Sequence, residues 1–221
     1  MLDWRTIETV LLDMDGTLLD LHFDSYFWFE HLPMRYAQAH NVSEDKARFF
    51  LSEKIKEYEG TLQWYCLDHW SELVEMDLGA LKAEIQHKIQ TRPYAEEFLK
   101  KLKMLGKKLI LATNAHPTGL EIKLNVTRID RWLDIVISSH QFKSPKEDQS
   151  FWQQFHQQEQ FDPSTTLFID DSVSVLESAE RFGIQHLVQI TLPDSQQNDV
   201  NKTSTKSNSI IAIKHFDEIM P

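Results

Sequence analysis

Val10-Leu11-Leu12-Asp13-Met14-Asp15-Gly16-Thr17-Leu18-Leu19-Asp20 is the stretch that decides how the chain folds. A short apolar run stops at two aspartates, and Gly16 and Thr17 follow at once. On a strand, residues i and i+2 share a face. Asp13 and Asp15 are therefore expected to project together from the carboxyl end of a buried strand. Two carboxylates that close repel, and both stay ionised only with a cation between them. A hard divalent cation of the magnesium type takes carboxylate oxygens and meets that need. Gly16 permits the sharp turn that brings backbone N–H groups up to an anion. An Asp-Gly turn by itself is a common exit from a strand. The full string Asp-x-Asp-Gly-Thr behind an apolar run is far more specific.

Working outward, Ile7 to Leu12 reads as the first strand, and its unbroken apolar character suits a parallel sheet buried on both faces. From Phe23 to Ile89 the pattern is helical and rich in aromatics, with no strand. Asp24 opens a helix through Tyr26, Phe27, Phe29, Leu32 and Tyr36, kinked or restarted at Pro33. Ser43 is an N-cap followed by Glu44 and Asp45, and Gly60 is the stop for that helix. A further helix is expected over 63–74, and Asp77 caps another carrying Leu78, Leu81, Ile85 and Ile89. After Arg92, Pro93 marks a helix start, with Tyr94, Phe98, Leu99, Leu102 and Leu105 as its stripe and Gly106 as its end. Strands at 108–112, 133–138, 166–169 and 185–190 then alternate with helices at 117–125, 147–160 and 173–182. Alternation of this kind implies an α/β fold with right-handed crossovers, and ligands at the carboxyl ends of the strands. Residues 193–209 are polar and read as a loop, and 210–220 are expected to pack back on the body.

Composition narrows the function classes. The 221 residues suffice for one sizeable core plus a small module. A net charge of −11 argues against nucleic-acid backbones and anionic membranes as partners. No apolar run approaches the ~20 residues of a membrane span. The start, Met1-Leu2-Asp3-Trp4, does not resemble a secretory signal, and a lone cysteine, Cys66, forms no internal disulfide, so a cytoplasmic location is expected. Among Trp64, Tyr65 and Leu67, Cys66 reads as a small core residue. The expected partner is a small molecule, with the chain acting as a monomer or small homo-oligomer.

Other strand ends carry polar residues too. Leu109-Ile110-Leu111-Ala112 stops at Thr113-Asn114, a hydroxyl and an amide able to hold phosphoryl oxygens. Thr166-Leu167-Phe168-Ile169 stops at Asp170-Asp171, mirroring the end of the first strand. Adjacent strand residues face opposite ways, so both acids reach one metal only where the strand has become a loop. Lys143 and Lys146, in Phe142-Lys143-Ser144-Pro145-Lys146-Glu147-Asp148, are the two cations available to such an acidic cluster.

These four features, in this order, resemble the motifs of the haloacid dehalogenase (HAD) superfamily of phosphohydrolases. The resemblance implies a Rossmann-like parallel sheet as the core, residues 1–22 and 91–221, with a helical cap at 23–90. It implies Asp13 as nucleophile and Asp15 as general acid and base, with Gly16, Thr113 and Asn114 at the phosphoryl group. It implies magnesium held by Asp13, the Asp15 backbone carbonyl and Asp171, with Asp170 acting from behind. The usual family form has lysine just before proline, whereas here Pro145 precedes Lys146. Counted back from Trp152, Lys146 takes the lysine's place and Lys143 falls too far upstream. Leu21-His22-Phe23-Asp24, Thr113-Asn114-Ala115-His116-Pro117 and Pro145-Lys146-Glu147-Asp148-Gln149 look like bacterial GMP/IMP nucleotidases of this superfamily. That implies a purine nucleoside 5′-monophosphate as substrate, with His22, Asp24, His116 and the aromatics Tyr26, Phe27 and Trp28 near it. Sugar-phosphate phosphatases and phosphosugar mutases share the motifs, and a non-catalytic scaffold would share the fold.

Overall fold

The computed structural model describes residues 2–197 and 209–221. In chain order the elements are β1 (Thr9–Leu12), α1 (His22–Tyr26), α2 (Leu32–His40), α3 (Glu44–Tyr58), α4 (Leu62–Tyr65), α5 (Leu67–Val74), α6 (Leu78–Glu84) and α7 (Ala95–Met104). Then follow β2 (Lys108–Thr113), α8 (Pro117–Thr127), β3 (Ile135–Ser138), α9 (Gln149–Glu159), β4 (Thr166–Asp170), α10 (Val173–Phe182), β5 (His186–Ile190) and β6 (Ile210–Ile213). Among the described residues the strands form one parallel sheet, ordered β3-β2-β1-β4-β5-β6. This is the Rossmann-like α/β arrangement, with the direction of winding reversing at β1.

Alternation along β1 explains its central place. Val10 and Leu12 pack into the layer that holds Phe98 and Phe216, while Leu11 faces Phe151, Trp152 and Phe168 in the other. An apolar residue is needed on both faces, so the run has no polar alternation. In register, Leu12 lies beside both Leu111 of β2 and Ile169 of β4. The next residues of all three strands therefore emerge at one sheet edge. The tail packs back as expected: β6 joins β5, and Phe216 stacks on Phe98 with ring centroids 4.6 Å apart. Of the stretch read as a loop, 198–208 lie outside the described residues.

Between β1 and β2 the chain is helical, with three departures from the expected pattern. The kink at Pro33 takes the form of a π-helical turn, Phe27–His31, with the Leu32 N–H reaching back to the Phe27 carbonyl. Proline has no N–H for the Phe29 carbonyl, and the Arg48 guanidinium donates to that oxygen instead. The helix expected over 63–74 breaks at Cys66, whose backbone is extended (φ −86°, ψ 107°). The Trp70 indole N–H donates to the Trp64 carbonyl freed by the break, at 3.0 Å. Pro93 lies in a turn before α7, not in the helix, because Tyr94 is left-handed (φ 64°). That turn sends buried Arg92 inward, where its guanidinium donates to the Leu192 and Lys214 carbonyls.

The two passages between the sheet and this helical segment run side by side. Asp20 N–H donates to the Gln90 carbonyl and Arg92 N–H to the Leu18 carbonyl, each at 2.9 Å. Among the described residues no helix is long and apolar enough to cross a membrane.

Candidate active site

A cleft of about 770 Å³ opens where β1, β2 and β4 end. Asp13, Asp15, Thr113, Asn114, Lys146, Asp170 and Asp171 all line it. Its opposite wall comes from the helical segment, through Trp28, Phe29, Trp64 and Tyr65.

Lys146 occupies the centre of the acidic end. Its Nζ donates to Asp13 Oδ1 at 2.6 Å, Asp170 Oδ2 at 2.7 Å and the Ala112 carbonyl at 3.0 Å. All three ammonium protons are thereby used. The side chain is 2% exposed, and the two carboxylates hold its pKa far above the ordinary lysine value against the effect of burial. Lys143 stands exposed on a left-handed turn (φ 52°), away from this cluster. Two contacts fix the loop that delivers Lys146. Its backbone N–H donates to Asn114 Oδ1 at 2.9 Å, and the Trp152 indole donates to its carbonyl at 2.8 Å.

Asp13, Asp170 and Asp171 offer carboxylate oxygens within 4.8 Å of one another. Hard oxygen donors at one edge of a cleft, outnumbering the lysine between them, fit a magnesium-type ion. Burial raises the Asp13 carboxyl to about 6 despite Lys146, with Asp170 adding to the rise. Burial does the same for Asp170, helped by Asp171. The Asp15 side chain leaves this trio and pairs with Lys123 at 2.7 Å. That ion pair separates Asp15 from the other three acids.

Gly16 is fixed by two independent constraints. Its φ is +86°, and an added Cβ would lie 2.8 Å from the Asp171 carboxyl and 2.9 Å from Pro193. Gly16→Ala is expected to destabilise the protein by about 1–2 kcal/mol, the scale of a left-handed alanine. It is also expected to push the Asp171 carboxyl aside and so weaken binding of any divalent cation at the acidic trio. Urea unfolding and a magnesium titration of the variant test both effects, and an unshifted titration would dissociate Gly16 from Asp171.

Thr113 Oγ1 accepts from Ala115 N–H at 3.0 Å, which leaves its own proton for an acceptor in the cleft. Asn114 is differently employed from the expectation that it touches a phosphoryl group. Its oxygen holds Lys146, and its amide donates to Glu147 Oε2 at 3.0 Å. These two bonds make it a positioning residue for the lysine loop, and its second amide proton remains for the cleft that it lines.

The sequence reading missed a second buried charge chain. Lys123 Nζ sits 2.7 Å from Asp15 Oδ1 and 2.7 Å from Asp24 Oδ2, and Lys82 Nζ donates to Asp24 Oδ1 at 2.7 Å. Burial alone would raise the Asp24 carboxyl, but Lys123 and Lys82 outweigh it and hold it at about 2. Burial pushes Asp15 up to about 6, with Lys123 opposing the rise and Asp24 and Asp13 adding to it. Lys82 and Lys123 match the charges of Asp15 and Asp24, so this charge chain is balanced within itself. Tyr65 was missed too; its hydroxyl donates to Glu147 Oε1 at 2.7 Å, tying the helical segment to the lysine loop.

The remaining expectations divide. Trp28 lines the cleft, while Phe27 is fully buried and Tyr26 lies under Lys88 Nζ at 4.1 Å. His116 lines the cleft, whereas His22 Nδ1 lies 3.6 Å from Asp194. Cys66, expected in the core, is half-buried, because the helix break brings it to the surface where α4 meets α5.

Known proteins share this chain's pattern. Residues 7–183 match the family model for haloacid dehalogenase-like hydrolases. The GMP/IMP nucleotidase YrfG of Escherichia coli K12 is 42% identical over 192 residues, covering 87% of this chain and 86% of that protein. The protein of the same name from Shigella flexneri matches to the same extent. Among solved structures, a HAD phosphatase from Thermococcus onnurineus superposes with a TM-score of 0.81 at 20% identity, covering 96% of each chain. The L-2-haloacid dehalogenase of Xanthobacter autotrophicus gives 0.59 at 18% identity, over 84% of this chain and 78% of that one. At these identities the structural likenesses speak to fold.

Proposed function

The chain belongs to the haloacid dehalogenase-like hydrolases, and from that premise we propose that it is a magnesium-dependent 5′-nucleotidase acting on GMP and IMP through an aspartyl-phosphate. The observation that carries the reading is Lys146, buried between Asp13 and Asp170 at the ends of the central strands. The substrate comes from the nucleotidases that this chain resembles at 42% identity. A cleft walled by Trp28, Phe29 and Trp64 agrees with it, since aromatic faces accept a purine. In this reading 23–90 form a cap over a core of 1–22 and 91–221.

The reaction follows from what each side chain can do. Asp13 attacks phosphorus, and the bond from phosphorus to the ribose 5′-oxygen breaks. Asp15 gives its proton to that departing oxygen. Its raised pKa suits a group that must hold a proton and then release it near neutrality. Asp15 next takes a proton from water, the water attacks the aspartyl-phosphate, and phosphate leaves with the Asp13 carboxylate restored. Lys146, with its protons held by Asp13, Asp170 and the Ala112 carbonyl, offsets the phosphoryl charge from behind Asp13, and the Thr113 hydroxyl donates to a phosphoryl oxygen. Magnesium, held by Asp13, Asp171 and the Asp15 carbonyl with Asp170 behind, would supply Lewis acidity and shield the carboxylates from the incoming phosphate.

Phosphate release from a panel of nucleoside monophosphates and sugar phosphates tests this reading. Release should depend on magnesium, vanish with EDTA, and favour GMP and IMP. Faster release from a sugar phosphate would overturn the nucleotide assignment and leave the hydrolase. Metal binding should also respond to pH. Asp13 and Asp170 titrate at about 6 in the metal-free protein, and a metal binds their ionised forms. Magnesium affinity is therefore expected to strengthen as pH rises through about 6, with proton release on binding. Calorimetry in buffers of different ionisation enthalpy reads both, and a pH-independent affinity would contradict the assignment.

A further inference from the structure

We propose that Cys66, His116 and His140 form a site for a zinc-class transition metal that fastens the helical segment to the sheet. Their ligand atoms lie within 4.8 Å of one another, and all three residues are half-buried. The set is chemically distinct from the acidic cluster. One thiolate and two imidazoles are soft and borderline donors that favour zinc over magnesium. Tetrahedral zinc needs such donors about 3.5 Å apart. The present spacing, within 4.8 Å, is brought to that value by small side-chain rotations.

Three separate pieces of chain converge here. Cys66 stands at the break between α4 and α5, where the backbone turns extended. His116 caps the N-terminus of α8, using Nδ1 to accept from Thr118 N–H at 3.4 Å, which directs Nε2 outward. His140 lies on the short helical turn Ser139–Phe142 after β3. The His116 and His140 rings meet edge to face with centroids 5.0 Å apart. His140 Nε2 is buried with no hydrogen-bond partner among the described residues, which is costly for an imidazole nitrogen unless something binds it. The His140 backbone N–H donates to Ser138 Oγ at 3.3 Å, which fixes the turn that carries the ring. Asp68, on the first turn of α5, brings Oδ2 to 3.4 Å from His116 Nε2 and is placed to supply a fourth ligand. The metal would join a residue of the helical segment to two residues of the sheet side, so it would act as a latch on the mouth of the cleft that His116 lines. None of these residues takes part in the reaction proposed above.

The test is cobalt titration of the reduced, EDTA-treated protein. The expected result is a thiolate-to-cobalt charge-transfer band that saturates at one equivalent. Cys66→Ser should abolish the band, and His140→Gln should lower the affinity at least about tenfold. The band should survive in Asp13→Asn, which separates this site from the acidic cluster. No thiolate band in the wild type, or unchanged affinity in His140→Gln, would overturn the proposal. A second measurement needs no variant. Cys66 is the only cysteine in the chain, so alkylation reports on it alone. Zinc should slow that alkylation at least about tenfold by occupying the thiolate, and an unchanged rate would refute the site.

Discussion

Asp13→Asn is expected to abolish phosphate release while leaving the protein folded and at least as stable. The amide keeps the shape of the carboxyl group, and its oxygen still accepts from Lys146, which now approaches Asp13 Oδ1 at 2.6 Å. What it loses is the charge and the nucleophilic oxygen. Removing the nucleophile of a covalent hydrolase costs on the order of 10⁵-fold or more in turnover. Stability should move the other way in the metal-free protein. Burial holds the Asp13 carboxyl at about 6, so at neutral pH the fold bears the cost of a desolvated anion. A neutral amide relieves that cost, as expected where a site trades stability for activity. Steady-state phosphate release and urea unfolding at pH 7.5 without metal measure the two effects. Turnover near the wild-type rate would exclude Asp13 as the nucleophile.

Lys146→Met should be the most damaging single change to the fold at this end of the sheet. Methionine matches the length of the lysine stem but leaves Asp13 and Asp170 facing each other without a cation. Breaking a buried ion pair from one side costs about 3–5 kcal/mol. The sign with pH follows from the carboxyls. Both pKa values, already raised to about 6, rise further without the lysine. The native variant then holds protons at pH values where the wild type has released them, so its deficit shrinks as pH falls from those raised values to about 6 and stays small below. Denaturant unfolding at pH 7.5 and pH 5 should show a large loss and a smaller one. Equal losses at both would mean that something other than the unpaired carboxylates limits the variant. Turnover should fall as well, since the phosphoryl group loses its fixed cation.

How far all this could be read beforehand depends on distance along the chain. Val173–Phe182 is the helix expected there, residue for residue, because a strand end and Gly183 bracket its stripe. Asp13, Asp15, Thr113, Asp170 and Asp171 were readable for a related reason. Each closes an apolar run, and parallel strands in register must bring those ends together. Lys146 was chosen by its spacing from Trp152, and the indole that marks that spacing holds the Lys146 carbonyl. Lys123 and Lys82 escaped because a lysine on a helix reads as solvated. The signal was present in their phase: Lys123 lies three residues after buried Leu120, and Lys82 four after buried Leu78, on the inward faces. Their partner Asp24 is distant in sequence, so no local pattern could announce the pairing. The tie from Tyr65 to Glu147 and the approach of Cys66 to His140 are long-range in the same way.

The position of β1 has a consequence for how the molecule comes to exist. Thr9 pairs with Lys108 on one side and Thr166 on the other, so the first strand made is hydrogen-bonded only to strands made much later. Closing such loops must precede any gain from the contacts, which slows folding. While β2 and β4 are still being synthesised, an apolar ribbon and two aspartates wait without a sheet. The adjacent entry and exit of the helical segment shorten that wait, because the bonds from Asp20 to Gln90 and from Arg92 to Leu18 fold the long excursion into a closed side branch. Asp13 therefore takes its place late, when the sheet closes around it, and in the function proposed above an incompletely folded chain has no assembled site with which to attack a phosphate ester.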